Sequence, residues 1–129
     1  MPLNPTENYL RDRQKCIQMN FVDTVATSDR YLKGPGGYGG DGYPMPSSGK
    51  ILRLYCYDGT NVRTDATESS FNAGDRISVL AQYDQPYFQV TVMINGNPSN
   101  SYCNLVLANA TLRVSVLLRL DVYLSLIHI

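Results

Sequence analysis

Apolar and polar residues alternate along much of this chain with a period of two, the signature of half-buried β-strands. Ile17, Met19 and Phe21 alternate with Gln18 and Asn20. In KILRLYCYDG, Leu52, Leu54 and Cys56 fall on one face and Ile51, Arg53, Tyr55 and Tyr57 on the other. The first face is the more apolar, so it is expected to point inward. Ile77, Val79 and Ala81 alternate with Ser78 and Gln82, with Leu80 as an apolar exception. Phe88, Val90, Val92 and Ile94 form the next inward face, while Gln89 and Thr91 look out. YCNLVL supplies a further strand. In the last run, Leu112, Val114, Val116, Leu118, Leu120 and Val122 share one face, opposed by Arg113, Ser115 and Arg119. It is the cleanest strand and is expected to be central.

Turn chemistry separates these runs. Asn72, Gly74 and Asp75 open the strand at Ile77, Asp58-Gly59 ends the one before it, and Asn95-Gly96 is a favoured hairpin dipeptide. GPGGYGGDGYPMPSSG is rich in Gly and Pro and reads as a long exposed loop or a flexible segment. TNVRTDATESS reads as polar turn. Residues 1–14 form an N-terminal arm, either extended or carrying a short helix over 7–15 capped by Thr6. The pattern predicts six to eight short strands and little helix, hence an all-β fold, a sandwich or barrel, over residues 15–123.

Composition narrows the function classes. The 129 residues suit one domain, and 11 basic residues balance 11 acidic ones. Sparse, cancelling charge argues against a nucleic-acid partner. No apolar run is long enough to insert in a membrane as a helix, and no secretory signal opens the chain. Cys16, Cys56 and Cys103 lack metal-ligand spacing and read as reduced, mostly buried apolar residues, which suits a reducing cytoplasm. The final LSLIHI, Leu124 to Ile129, resembles the translation of a sequencing-library adapter. It is therefore set apart from the fold, and its His128, the single histidine, is expected to carry no chemistry.

Candidate sites are few. Gly34, Gly36 and Gly39 match G-x-G-x-x-G, but Pro35 interrupts the motif and Pro44 and Pro46 prevent a following helix, so no dinucleotide is expected. Asp41, Asp58, Asp65, Glu68, Asp75 and Asp84 are scattered over turns, where carboxylates ordinarily serve the backbone. A Ser nucleophile would lack a His base. No catalytic residue, cofactor or metal is expected. GPGGYGGDGYP interleaves Tyr38 and Tyr43 with glycines around Asp41, a composition seen in recognition loops as well as in linkers. The Tyr55 and Tyr57 face reads as a sheet surface or a subunit contact.

Three segments carry a resemblance. Gly42 to Ile51, Asn72 to Val79 and Val92 to Gly96 resemble a pattern of phage tail-fibre head domains: Gly-Tyr-x-Met-Pro-x-x-Gly-Lys-Ile, Asn-Ala-Gly-Asp-Arg-Ile-x-Val and a Val-x-x-Asn-Gly hairpin. Those domains look like the jelly rolls of C1q and tumour necrosis factor. The resemblance covers roughly residues 28–123. It implies a jelly-roll-like antiparallel β-sandwich in a non-enzymatic virion protein, assembled in the host cytoplasm as a homotrimer beside other virion proteins. It also implies exposed loops that touch a host surface polymer or glycan. Tyr38, Asp41 and Tyr43 are then the receptor-binding candidates, and Tyr55 and Tyr57 the oligomer contacts. The hairpin follows the Ala-Gly-Asp strand here, whereas in the family it often precedes it. No fibre shaft precedes the domain, which leaves room for a capsid-decoration protein. A carbohydrate-binding module of a cellular protein is the alternative from another class, and a small polysaccharide hydrolase is disfavoured for want of a convergent site.

Removing Leu124 to Ile129 should leave the thermal melt unchanged. A clear drop in Tm for the trimmed chain would make the segment part of the fold.

Overall fold

The computed structural model describes residues 16–25, 28–84, 86–106 and 111–122. The expected N-terminal arm, whether extended or helical over 7–15, and LSLIHI lie outside the described residues.

Ten strands are described: β1 (Cys16–Thr24), β2 (Arg30–Tyr31), β3 (Tyr43–Pro44), β4 (Gly49–Tyr57), β5 (Val62–Asp65), β6 (Ser69–Phe71), β7 (Arg76–Asp84), β8 (Tyr87–Ile94), β9 (Asn97–Leu105) and β10 (Thr111–Leu120). They form two antiparallel sheets. The first runs β1-β10-β4-β5, with β6 also pairing β4. The second runs β2-β7-β8-β9, with β3 also pairing β7. The fold is thus an all-β sandwich, with the last strand returning to lie beside the first. β10 is central, as its long apolar face predicts.

The inward faces meet in one core. Phe21 from β1, Leu54 from β4 and Leu112, Val114 and Leu118 from β10 pack against Ile77 and Val79 from β7 and Val90 and Val92 from β8. Alternation in β7, β8 and β10 places these residues as expected. The chain leaves strand after Leu120, so Val122 is exposed rather than inward.

In β4 the expected facing fails at one end. Ile51 is fully buried and Leu52 only half-buried. The register explains it: Leu117 opposes Arg53 while Leu118 opposes Ile51, so Leu52 is an extra residue on its strand. A bulge of this kind reverses the side-chain parity that follows it. Ile51 and Leu54, three apart, therefore both face the core.

Two segments expected to be irregular carry short strands. Val62–Asp65 and Ser69–Phe71 both pair with β4. Tyr43–Pro44 pairs with β7 through Ile77 and Arg76.

The sandwich is stitched along both open sides. On one, Leu32 N donates to Val79 O (2.9 Å) in the second sheet. The next residue, Lys33, exchanges backbone bonds with Val22 (2.9 and 3.1 Å) in the first. On the other, Asp65 Oδ2 accepts from Tyr102 N (3.1 Å), and Ser101 Oγ donates to Thr67 O (2.9 Å). Ser69 Oγ accepts from Asn100 N (3.1 Å), at the register shift of β9.

The bulge assignment makes a contrast. Ile51→Ala should cost about 3 kcal/mol in chemical denaturation, the range for a buried aliphatic truncation, and Leu52→Ala about 1 kcal/mol. Equal losses, or the reverse order, would place Leu52 inside.

Candidate binding surfaces

The Gly-rich segment is folded onto the sandwich edge. Pro35–Gly37 makes one 3₁₀ turn, closed by Gly37 N donating to Gly34 O (3.0 Å), and Gly34 N donates to Tyr38 O (2.7 Å). Gly36 (φ 67°) and Gly42 (φ 81°) hold left-handed backbone that residues with a Cβ rarely adopt. At Gly42 an added Cβ would also meet the Cβ of Arg76 at 2.7 Å. Arg76 Nη1 donates to Gly42 O (3.2 Å), pinning the segment to β7.

This folding brings Tyr38 and Tyr43 together, edge to face, with ring centroids 5.6 Å apart at 87°. Their roles differ. Tyr43, in β3, is half-buried against the core, whereas Tyr38 is 40 % exposed. Tyr43 also lines an apolar cleft of about 210 Å³ with Ile17, Met19, Pro35 and Pro46. Asp41 is exposed in the turn before Gly42. All three receptor-binding candidates thus lie in one short segment, and Tyr43 supports while Tyr38 presents.

Tyr55 and Tyr57 lie on the outer face of the first sheet. Cross-strand rows there read Asn20–Ser115–Tyr55–Thr64 and Val22–Arg113–Tyr57–Val62. Lys50, Arg53, Arg113 and Arg119 share the face. Lys50 stands directly opposite Arg119, a like-charge pairing that destabilises a sheet. Among the described residues the one ion pair of these four cations is Lys50 with Glu68, at 3.8 Å between exposed side chains. This clustering was hidden in a chain of zero net charge.

The second sheet's outer face is different. Tyr31, Leu80, Thr91 and Tyr102 line up across four strands, but Thr91, expected to look out, is buried. Beside them Asp84, Tyr87, Gln89 and Asn104 line a cleft of about 360 Å³. Carboxylate, amide and aromatic groups meet there because Asp84 pairs with Tyr87 and Gln89 with Asn104.

Three of the six scattered carboxylates serve the backbone. Asp58 is buried and its Oδ1 accepts from Thr60 N (2.9 Å) and Asn61 N (2.6 Å). Asp65 binds Thr67 N (3.3 Å) as well as Tyr102 N. Asp75 joins two turns: it accepts from Asn72 N (2.8 Å) and Asn95 Nδ2 (2.9 Å), while Asn95 Oδ1 accepts from Arg76 N (2.9 Å). Those bonds to Asn72 and Asn95 hold the Asp75 carboxyl below its ordinary value. Among the described residues no group of three His, Cys, Asp or Glu side chains could hold a metal, and no helix is long and apolar enough to cross a membrane.

One relationship was not legible in sequence. Cys56 on β4 and Cys103 on β9, 47 positions apart, both face the interior and share the core. The bond to Cys103, with burial, pushes the Cys56 thiol up, and the same bond holds Cys103 below the usual thiol value. Cys16 is half-buried at the start of β1.

Comparison with known protein families, curated proteins and solved structures finds no match to this chain.

Asp75 provides a pH test. A carboxyl whose folded value is depressed contributes stability that is present above its unfolded value and lost as pH falls through the folded one. Asp75→Ala should therefore melt below wild type at neutral pH, and the two melts should converge below about pH 3.9, the ordinary aspartate value. A constant gap down to strong acid would remove the carboxylate from the clamp.

Proposed function

We propose that this chain is a non-enzymatic, receptor-binding head of a virion, of the tail-fibre kind, which touches a host surface polymer or glycan. The observation that carries the reading is the Gly-rich segment. A segment of this composition would cost much entropy to order at each encounter. Here it is held by its own turn, by Arg76 and by the Tyr38–Tyr43 contact. An exposed tyrosine on such a support is a rigid amphipathic contact, suited to sugar rings and polymer repeats.

The charge distribution supports a cyclic homotrimer. Four cations gather on the outer face of the first sheet, whereas Asp41 and Asp84 are exposed elsewhere. A two-fold contact through the Tyr55 and Tyr57 face would set these cations against one another. A ring closes through unlike patches, so the basic face of one copy can meet a more acidic surface of the next. The same surfaces would serve a capsid-decoration protein among other virion proteins.

The cleft of Asp84, Tyr87, Gln89 and Asn104 favours a second reading, a carbohydrate-binding module of a cellular protein. Hydrogen-bonding groups beside an aromatic ring suit a sugar.

Two measurements test the leading reading. Light scattering should give three times the chain mass, with dissociation at high salt because the contact is electrostatic. A monomer at high micromolar concentration would sink the trimer. On an array of bacterial surface polysaccharides, Tyr38→Ala should weaken binding about tenfold, as loss of an interface anchor does, with only a small drop in Tm from the lost Tyr43 contact. Retention unaffected by Tyr38→Ala, but abolished by Tyr87→Ala, would move the site to the second cleft. Tyr43→Ala is unsuited to this test, since Tyr43 packs against the core.

A further inference from the structure

The cleft that holds Asp84, Tyr87 and Gln89 reaches Asn104, and Asn104 also lines a second cleft of about 320 Å³ with Arg63, Thr64, Thr67 and Tyr102. The strands explain the junction. Asn104 and Tyr102 lie two apart on β9, both exposed on its outer face. Asn104 stands opposite Gln89 of β8, whereas Tyr102 borders β5, where Asp65 Oδ2 accepts from its backbone N–H (3.1 Å). Tyr87 is 51 % exposed and Tyr102 48 %. Tyr87 lies one position beyond the Phe88–Leu105 pair and Tyr102 three positions before it. The two tyrosines therefore stand about 14 Å apart along the strands, a span for several sugar rings rather than one.

We propose that the two clefts act as one groove that binds a carboxylate-bearing oligosaccharide, with a uronate at Arg63 and further sugar units along Asn104, Gln89 and Tyr87. Arg63 Nη1 meets Val62 O at 3.5 Å, and among the described residues Arg63 joins no ion pair. The neighbouring Asp65 is committed elsewhere: its Oδ1 accepts from Thr67 N (3.3 Å) and Thr67 Oγ1 (2.9 Å), and its Oδ2 from Tyr102 N. The guanidinium is left to take a ligand carboxylate in a two-bond fork. The two exposed rings offer flat surfaces to sugar faces. The amides of Gln89 and Asn104 both donate and accept, and the Asp84 carboxylate accepts, which matches sugar hydroxyls.

Other occupants fit less well. A peptide adding to the sheet needs free backbone groups on the β9 edge. Tyr102 N and Asn100 N are already held there by Asp65 and Ser69. A nucleic acid would need several cations, and among the described residues Arg63 shares the groove with Asp65 and Asp84. The proposal rests on the second reading above, whose cleft it extends and whose ligand class it names, and it is independent of Tyr38.

The test titrates the full chain with tetrasaccharides of galacturonate, mannuronate and glucuronate, each beside its carboxyl-reduced neutral counterpart. At least one acidic tetrasaccharide should bind about tenfold more tightly than its neutral counterpart, the usual effect of a hydrogen bond to a charged group. It should also bind more tightly than the acidic monosaccharide. Arg63→Gln should erase the preference for acid and leave neutral binding unchanged, and Tyr102→Ala should weaken acidic and neutral chains alike. Both side chains are exposed, so both variants should melt close to wild type. The proposal is overturned if no acidic tetrasaccharide binds, if the monosaccharide binds as tightly, if Arg63→Gln keeps the preference, or if Tyr38→Ala abolishes binding. Loss of binding in Tyr87→Ala alone, with Arg63→Gln and Tyr102→Ala unaffected, would also overturn it while leaving the second reading in place. The charge and length dependence of the unmutated chain decide by themselves should a variant fail to fold.

Discussion

Two facing sheets share one interior only if each strand keeps its apolar residues on one side, and β4 meets that demand only through its bulge. Ile51 and Leu54 are an odd number of residues apart, so a regular strand would send one of them to solvent. The extra residue at Leu52 lets both enter the core opposite β10. The same kink selects what faces out: Lys50, Arg53, Tyr55 and Tyr57. Core and outer surface of the first sheet are thus consequences of one irregularity, placed where β10 and β6 both pair with β4.

Polar residues do a different task, that of closing the sides. A sandwich has edges, and exposed ladder groups invite pairing with another chain. Here one side is bridged by the chain itself, as Leu32 and Lys33 step from β7 to β1. The opposite side is bridged by side chains, with Asp65, Ser69 and Ser101 taking up backbone groups of β9 and the segment before β6. Asp75 and Asn95 then tie the turn before β7 to the turn after β8. This is why the motifs NAGD and NG both flank apolar runs: they are two halves of one hydrogen-bonded clamp.

What the sequence revealed follows from the range of each interaction. β7, β8 and β10 were legible because alternation is local, and the centrality of β10 followed from its unbroken apolar face. The bulge in β4 was not legible, because it depends on which residue of β10 stands opposite. Strands β5 and β6 are polar and short, and become strands only by pairing with β4. The candidate site was legible in the same measure. Tyr38, Asp41 and Tyr43 were marked by composition, but the division between a presenting and a supporting tyrosine needed the pairing of Tyr43 with Ile77. The basic patch and the Cys56–Cys103 pair join distant positions and leave no local trace.

Those long-range pairings also bear on why we propose binding rather than catalysis. A catalytic centre gathers unlike titratable groups in an enclosed place and pushes their proton affinities apart. Here the perturbed carboxyl among the described residues is Asp75, half-buried and committed to two turns. The perturbed thiols, Cys56 and Cys103, are buried in the core. Exposed chemistry is of another kind: tyrosine rings, amides and cations spread over open faces on a stiff scaffold. Such groups gain little by acting on a bond, but they lose little entropy when a partner settles on them. For Tyr38 that advantage depends on the folding of the Gly-rich segment, since its glycines would otherwise have to be ordered by the ligand.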